Sequence, residues 1–296
     1  MEGLWLDQVD AVAQLGRRAA GDAQLEAIGS RMINDGFVVL PAAIAGAECD
    51  AVVNDYRRFI DDLGAEVEQH KDASGRLLRV VNFHLTSGSA ANIGCNPRLM
   101  AILDFLLGDE ASVYSSLYFE HGSQQPIHRD SPFFETFPRN LFFGMWVALE
   151  DVSVDAGPLM YVPGGHRFDC DPHRIYDAVA ARMPGAARDA LINESLEQYY
   201  GDVIRAASGF GTPTVVALKK GDVAIWHPQL PHGGSPALNP DLTRRSMVFH
   251  CVPSSRQVYQ HDVFFAHRGP VPAPRYGFTR INDRSVALSG ATTFQH

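Results

Sequence analysis

From Ser112 onward the chain is a succession of short apolar runs separated by Gly, Pro, Asn and Asp, and no other feature constrains its fold as tightly. The runs cover 113–119, 127–134, 141–150, 159–162, 214–218, 222–226 and 246–252. Several short strands punctuated by turns predict a sandwich or barrel. The pattern stops between 172 and 209, where the sequence reads as helical pieces broken at Pro184-Gly185. Insertions of that length in a β domain commonly form lids, so a substrate-covering role is expected, with a plain packing helix as the alternative.

The first 111 residues follow a different rule. Leu25, Ile28 and Met32 recur at helical spacing behind Asp22, a candidate N-cap, and Gly36 ends the run before a short strand at 37–40. Cys49, Val52, Val53, Tyr56 and Phe59 mark a second amphipathic helix that stops at Gly64, and 97–108 form a third, opened by Pro97 and closed by Gly108. No linker, fixed-period repeat or low-complexity block divides the chain. The reading is a single domain over 1–296: a helical N-terminal region over residues 1–111, a β core over 112–253 with the insertion 172–209, and a tail over 254–296.

With 46% apolar and 20% charged residues, the composition is that of a globular enzyme, and no apolar run is long enough to span a bilayer. A formal net charge of -9 argues against nucleic acid as a partner, because phosphate binding needs a surplus of Lys and Arg. The amino terminus carries acids early and shows no secretion signal. Cys49, Cys95, Cys170 and Cys251 lie too far apart for a CxxC motif. Free thiols and a cytoplasmic location are expected.

The chemistry points to two segments about a hundred residues apart. In "QQPIHRDSPFF", His128 and Asp130 are two residues apart, so an extended chain sends both to one face and Arg129 to the other. His232 in "LPHGGS" supplies a second imidazole. Two imidazoles and a carboxylate can hold ferrous iron on one triangular face and leave the other positions open. A His-x-Asp triplet is weak evidence alone, since a chain with 12 His yields about one by chance. The other example, His70-Lys71-Asp72, lies in a turn sequence and is read as decorative. His227 is the alternative to His232, but it directly follows an apolar stretch, whereas His232 precedes a Gly-Gly turn.

The fragments "DGFVVLPAAI", "HRD", "WVALEDVSVDAGPLMYVPGGH" and "KKGDVAIWHPQLPHGGSPALNPDLTRRS", in that order, resemble the phytanoyl-CoA dioxygenase superfamily of Fe(II)/2-oxoglutarate oxygenases over most of residues 22–253. The resemblance implies a mainly β fold, a double-stranded β-helix (jelly roll, cupin-like) flanked by α-helices. It implies iron ligands at His128, Asp130 and His232. It also implies a 2-oxoglutarate-binding arginine at Arg244, with Ser235 as a helper hydroxyl. The family's usual H-G-S is here His232-Gly233-Gly234-Ser235, one residue longer, which shifts Ser235 and leaves Arg245 as the alternative arginine. Tyr118 is a further candidate for hydrogen bonding 2-oxoglutarate.

The activity implied is oxidative decarboxylation of 2-oxoglutarate to succinate and CO2 with O2, coupled to hydroxylation of a C–H bond in a small-molecule metabolite. Asp130 favours hydroxylation over halogenation, because halogenating relatives lack this carboxylate. Desaturation and epoxidation stay open. Glu120 stands where many relatives carry a basic residue, and the chain has no obvious basic cluster, which favours a neutral or zwitterionic substrate. Two other classes fit the same fold, a non-catalytic ligand-binding jelly roll and a cupin-like metalloenzyme of another kind. His166 is read as a turn residue with substrate contact as the alternative, and His84, His121 and His250 as structural or surface histidines. Phe133, Phe134 and Trp146 are candidates to wall the metal, with core packing as the alternative. The sequence leaves oligomeric state undetermined.

Overall fold

The computed structural model describes residues 3–295. Its first third is helical where the caps predict it. Helix α1 (Ala11–Ala19) leads into α2 (Ala23–Asp35), which opens on Asp22, whose carboxylate accepts from the Gln24 and Leu25 amides. It closes on Gly36 at φ 80°, a left-handed position suited to glycine. Strand β1 (Phe37–Leu40), helix α3 (Gly46–Leu63), strand β2 (Arg79–Val81) and helices α4 (Gly88–Gly94) and α5 (Pro97–Leu107) follow. The Asn96 side chain caps α5 through the Arg98 and Leu99 amides.

The β region then runs through β3 (Ala111–Phe119), β4 (Phe143–Ala148), β5 (Leu159–Tyr161), the helices α6 (Pro172–Arg182) and α7 (Arg188–Ser208), β6 (Thr214–Val216), β7 (Val223–Trp226), β8 (His232–Gly234) and β9 (Ser246–Pro253). Helix α8 (His261–Ala266) and strands β10 (Phe278–Ile281), β11 (Arg284–Ala287) and β12 (Thr293–Gln295) make up the tail. The strands form two largely antiparallel sheets. The larger runs β1-β7-β4-β9-β3-β11-β10, with β2 also on β3 and β12 on β2, and the smaller runs β6-β5-β8.

Alternation gives the large sheet two distinct faces. Met145, Val147, Ile225, Met247 and Phe249 join Leu99, Leu103 and Leu106 of α5 in the main core, so the helices cover this face. Trp146, Ala224, Trp226 and Val248 point the other way, towards Leu159 and Tyr161 of the small sheet. The site lies between the two sheets.

Three features depart from the sequence reading, and the insertion takes up the packing role held open for it. Residues 127–134 are not a strand: His128 makes an isolated bridge to His232, and Ser131–Phe133 turn into a 3-10 helix, with Pro132 in its first turn. The tail, read without strands, supplies three, of which β11 pairs in parallel with β3 and β12 pairs with β2. Strands β2 and β8 are only three residues long, and β8 is His-Gly-Gly, which carries no alternation to read. The insertion packs chiefly on α8, through Ile175, Val179, Ile192, Tyr199, Phe264 and Phe265, as a cluster of its own. No helix among the described residues is long and apolar enough to cross a membrane, and the four cysteines are free.

Candidate active site

The two segments bearing the candidate ligands are joined at the ligands themselves. The His128 amide donates to the His232 carbonyl at 2.9 Å and the His232 amide to the His128 carbonyl at 3.0 Å. Such a close approach needs a bare partner strand. A Cβ on Gly233 would stand 2.6 Å from the Gln125 carbonyl oxygen, and one on Gly234 would stand 2.9 Å from the Gln124 amide nitrogen. The additional glycine of His232-Gly233-Gly234-Ser235 thus forms a seat for residues 124–126.

Each ring is set by its Nδ1. His128 Nδ1 lies 2.8 Å from the Pro126 carbonyl oxygen and His232 Nδ1 lies 2.9 Å from that of Leu230. A carbonyl only accepts, so Nδ1 carries the proton in both rings and a neutral ring keeps a free lone pair on Nε2. Those Nε2 atoms stand 3.4 Å from Asp130 Oδ1 and 3.4 Å from Oδ2, respectively. One ligand atom from each of His128, Asp130 and His232 lies within 4.8 Å of the others. The Trp226 indole N–H donates to Asp130 Oδ2 at 3.2 Å. Ser131 donates to the Pro228 carbonyl and steadies the turn that carries Asp130.

Electrostatics at the triangle oppose the effect of burial. Burial alone would raise the Asp130 carboxyl, but His232, His128 and His250 beside it hold it well below the usual carboxylate range. Burial would lower His232, and the Asp130 charge outweighs that and raises it. The Asp130 charge therefore draws positive charge to this point, and a divalent cation can take the place of the His232 proton.

The triangle opens on a cavity of about 510 Å³ between the sheets. Arg244 is 1% exposed and lines this cavity. One of its amino groups donates to the Gly157 carbonyl at 3.0 Å, and its Nε has no partner. Burial lowers its pKa to about 10, with Tyr161 acting against that shift, so it stays charged at neutral pH. Arg245, the alternative, points elsewhere and is already paired, with Glu120 at 2.8 Å and Glu150 at 3.0 Å.

Other expected residues fall outside the cavity. Tyr118 faces the helices: it stacks on Tyr56 at 3.8 Å between ring centroids and gives its hydroxyl to Glu120. Period-2 alternation sends Ser115, Leu117 and Phe119 of β3 into the cavity and Tyr118 behind the sheet. Ser235 donates to the Pro158 carbonyl at 2.9 Å and does not line the cavity. It steadies the chain beside Gly157, which holds Arg244. Arg129 points away, as expected, and donates to the Gly165 and Phe168 carbonyls. His227 faces Asp7 at 3.1 Å and packs against His166, clear of the cavity. Phe133, Phe134 and Trp146 do line it.

His250, Arg79 and Tyr200 are among the cavity residues that escaped the sequence reading. His250 stands 3.7 Å from Asp130 Oδ2, with its Nδ1 3.1 Å from the Ser115 hydroxyl. Counting by twos from Arg244 along β9 reaches Val248 and His250, so alternation could have found it. Arg79 on β2 and Tyr200 on α7 also line the cavity. Neither lies in a motif.

Comparison with known proteins fits this geometry. The sequence profile of phytanoyl-CoA dioxygenase (PhyH) matches residues 33–246, well over half of the chain. The chain belongs to the phytanoyl-CoA dioxygenase family. This PhyH-family chain is 26% identical over 154 residues to phytanoyl-CoA dioxygenase domain-containing protein 1 of Bos taurus, covering 52% of the chain and 47% of that relative. It thus spans about half the length of the first curated relatives it matches. With the ectoine dioxygenase of Sphingopyxis alaskensis the PhyH-family chain shares 27% identity over 259 residues, 81% of its own length and 82% of the relative's. In fold it is similar to the epimerase SnoN in complex with Fe3+, alpha ketoglutarate and nogalamycin RO, at TM-score 0.63 and 20% identity, covering 90% of this chain and 99% of that one. It is also similar to EctD from S. alaskensis with 2-oxoglutarate and 5-hydroxyectoine, at TM-score 0.59 and 19% identity, covering 82% and 83%.

Proposed function

We propose that the chain is an Fe(II)- and 2-oxoglutarate-dependent dioxygenase that hydroxylates an unactivated C–H bond of a small-molecule metabolite. The observation that carries this reading is Arg244, a buried guanidinium without a carboxylate partner in the cavity onto which His128, Asp130 and His232 open. A buried charge is costly until a counter-charge arrives. The distal carboxylate of 2-oxoglutarate has the planar, two-oxygen shape that a guanidinium fork holds through paired hydrogen bonds.

The residues fit the metal as well. His128 and His232 each present an Nε2 lone pair and Asp130 a carboxylate with depressed pKa, so these three would hold ferrous ion as a facial triad. When bound, iron and 2-oxoglutarate let O2 react so that one oxygen atom enters succinate as CO2 leaves and the other enters the substrate as a hydroxyl group. The chain's own contribution is orientation. The Pro126 and Leu230 carbonyls fix both imidazole tautomers, and the Trp226 N–H occupies one side of Asp130 Oδ2 and fixes the carboxylate's rotation. Arg244 aligns the co-substrate, with the Gly157 carbonyl holding its fork and Ser235 steadying the adjoining peptide. Trp146 and Phe119 each lie 5.8 Å from the Arg244 guanidinium carbon and limit water around it. We further propose that the two sheets constitute a double-stranded β-helix and that residues 1–296 act as one domain, since tail strands β11 and β12 complete the large sheet.

The test is anaerobic calorimetry of 2-oxoglutarate with the iron-loaded chain, beside oxygen-dependent succinate formation. Arg244→Gln is expected to weaken 2-oxoglutarate by roughly 2 kcal/mol or more, about thirtyfold, with iron affinity unchanged. An iron-loaded chain that does not bind 2-oxoglutarate, or binds it equally well without Arg244, rejects the reading.

A further inference from the structure

The cavity holds a second guanidinium, which the function proposed above leaves without a task. Arg79 lies on β2, whose Val80 pairs with Tyr118 and Val81 with Leu117 of β3. Alternation sends Val80 and Tyr118 into the core behind the sheet, and sends Arg79, Val81 and Leu117 to the cavity. From the other side β12 pairs Gln295 with Arg79, so the strand is held along both edges. Arg79 Nε is buried and has no hydrogen-bond partner among the described residues.

The neighbourhood of Arg79 is distinct from that of Arg244. The ionisable groups near Arg79 are Asp130 and Tyr200, and the one near Arg244 is Tyr161. Tyr200 ties Arg79 to the metal triangle: its ring stands edge-on to that of His128 with centroids 6.4 Å apart. Tyr200 is also the one cavity residue from the 172–209 insertion, so the insertion's contribution to the cavity falls beside Arg79.

Charge accounting specifies what is missing. Among the described residues, the cavity's own full charges are the guanidiniums of Arg79 and Arg244 and the carboxylate of Asp130. A ferrous ion adds two positive charges and 2-oxoglutarate brings two negative ones, which leaves a single positive charge in a cavity walled by Phe134, Trp146 and Trp226. A bound ferrous ion also neutralises the attraction between Asp130 and Arg79. We infer that Arg79 anchors the substrate, and that the substrate carries one carboxylate, paired with the Arg79 fork within reach of the Tyr200 hydroxyl, on an apolar body that extends towards the triangle. A monocarboxylic acid, or the acid end of a zwitterion, meets this requirement. The inference rests on the dioxygenase reading for the metal and co-substrate, but the assignment of Arg79 is tested separately.

The probes are isosteric pairs, phenylacetate against phenylacetamide and hexanoate against hexanamide. Their affinities are measured by ligand-observed NMR on the full chain with Fe(II) and saturating 2-oxoglutarate under anaerobic conditions, so that Arg244 is occupied. Each acid is expected to bind about tenfold tighter than its amide. Arg79→Gln should erase that preference and leave 2-oxoglutarate affinity, read by calorimetry, unchanged. Arg79→Lys keeps the charge but loses the fork, and should cut the preference severalfold; it carries the comparison if circular dichroism shows that Arg79→Gln does not fold. Equal binding of acid and amide by the unsubstituted chain, or an undiminished preference in the variant that folds, overturns the assignment while the dioxygenase reading stands. Tighter binding of phenyl phosphate than of phenylacetate overturns the carboxylate. Failure of 2-oxoglutarate to bind strikes the dioxygenase reading instead, and the acid and amide pairs on the metal-free chain then decide Arg79.

Discussion

Gly144→Ala tests whether the sheet behind the metal triangle sets its geometry. Gly144 faces Trp226 across β4 and β7, and a Cβ there would stand 2.0 Å from the indole Cε2 and 2.6 Å from its Nε1. Ordinary carbon contacts begin near 3.5 Å, so the ring must shift by roughly 1.5 Å. Overpacking of this kind costs about 1–3 kcal/mol. The shift also breaks the bond from Trp226 Nε1 to Asp130 Oδ2, a hydrogen bond to a charged group worth about 1.5–3 kcal/mol. Loss of a partner that orients a metal ligand typically lowers metal affinity by about 10- to 100-fold. The assay is Fe(II) or Zn(II) titration against a competing chelator, with thermal melting alongside. Trp226→Phe supplies the control. It removes the N–H without overfilling the site, so alone it should weaken the metal, and combined with Gly144→Ala it should recover most of the lost melting temperature, because a smaller ring accepts the methyl. A Gly144→Ala chain with unchanged metal affinity and melting temperature, or a double variant whose losses simply add, refutes the argument.

Two further outcomes follow from the site. Arg245→Gln should leave 2-oxoglutarate affinity unchanged and cost at most about 1 kcal/mol in chemical denaturation, because a quarter-exposed ion pair contributes little. For the metal-free chain the pH dependence has two arms. Asp130, depressed below 3.8, contributes stability that is present above that value and lost as pH falls through its folded pKa. His232, raised above 6.5, contributes stability that is full below 6.5 and lost as pH rises through its folded pKa. The metal must displace that proton, so metal affinity should climb with pH from 6 to 8, and calorimetric enthalpies should vary with buffer ionisation heat. Enthalpies that are identical across buffers would contradict the proton release.

The sequence exposes the triangle readily, because His128 and Asp130 are two residues apart and His232 lies beside a Gly-Gly pair. The geometry holds although the expected strand around His128 is a single bridge followed by a tight turn. Arg244 could be separated from Arg245 only by knowing which is already paired, and the partners, Glu120 and Glu150, lie far away in the chain. Tyr118 and His250 show the opposite error. Residue type and motif misplace both, whereas alternation along β3 and β9 decides which side chains reach the cavity. Arg79 and Tyr200 could not be found that way. A three-residue strand has no period to read, and a tyrosine on a helix that packs mainly elsewhere gives no sign that it also borders the site. The tail strands are similarly silent, since β11 and β12 depend on edges supplied by β3 and β2.

The mutual backbone bonds between His128 and His232 make ion capture a late event in the life of the chain. A cation held by side chains about a hundred residues apart finds only the His128–Asp130 pair in an unfolded polypeptide, so most of its binding energy is delivered to the finished structure. Iron occupancy should therefore act as a stamp of correct assembly. Chains purified from iron-starved cells should melt lower and be cleaved faster by protease, and added ferrous ion should reverse both without any catalytic turnover.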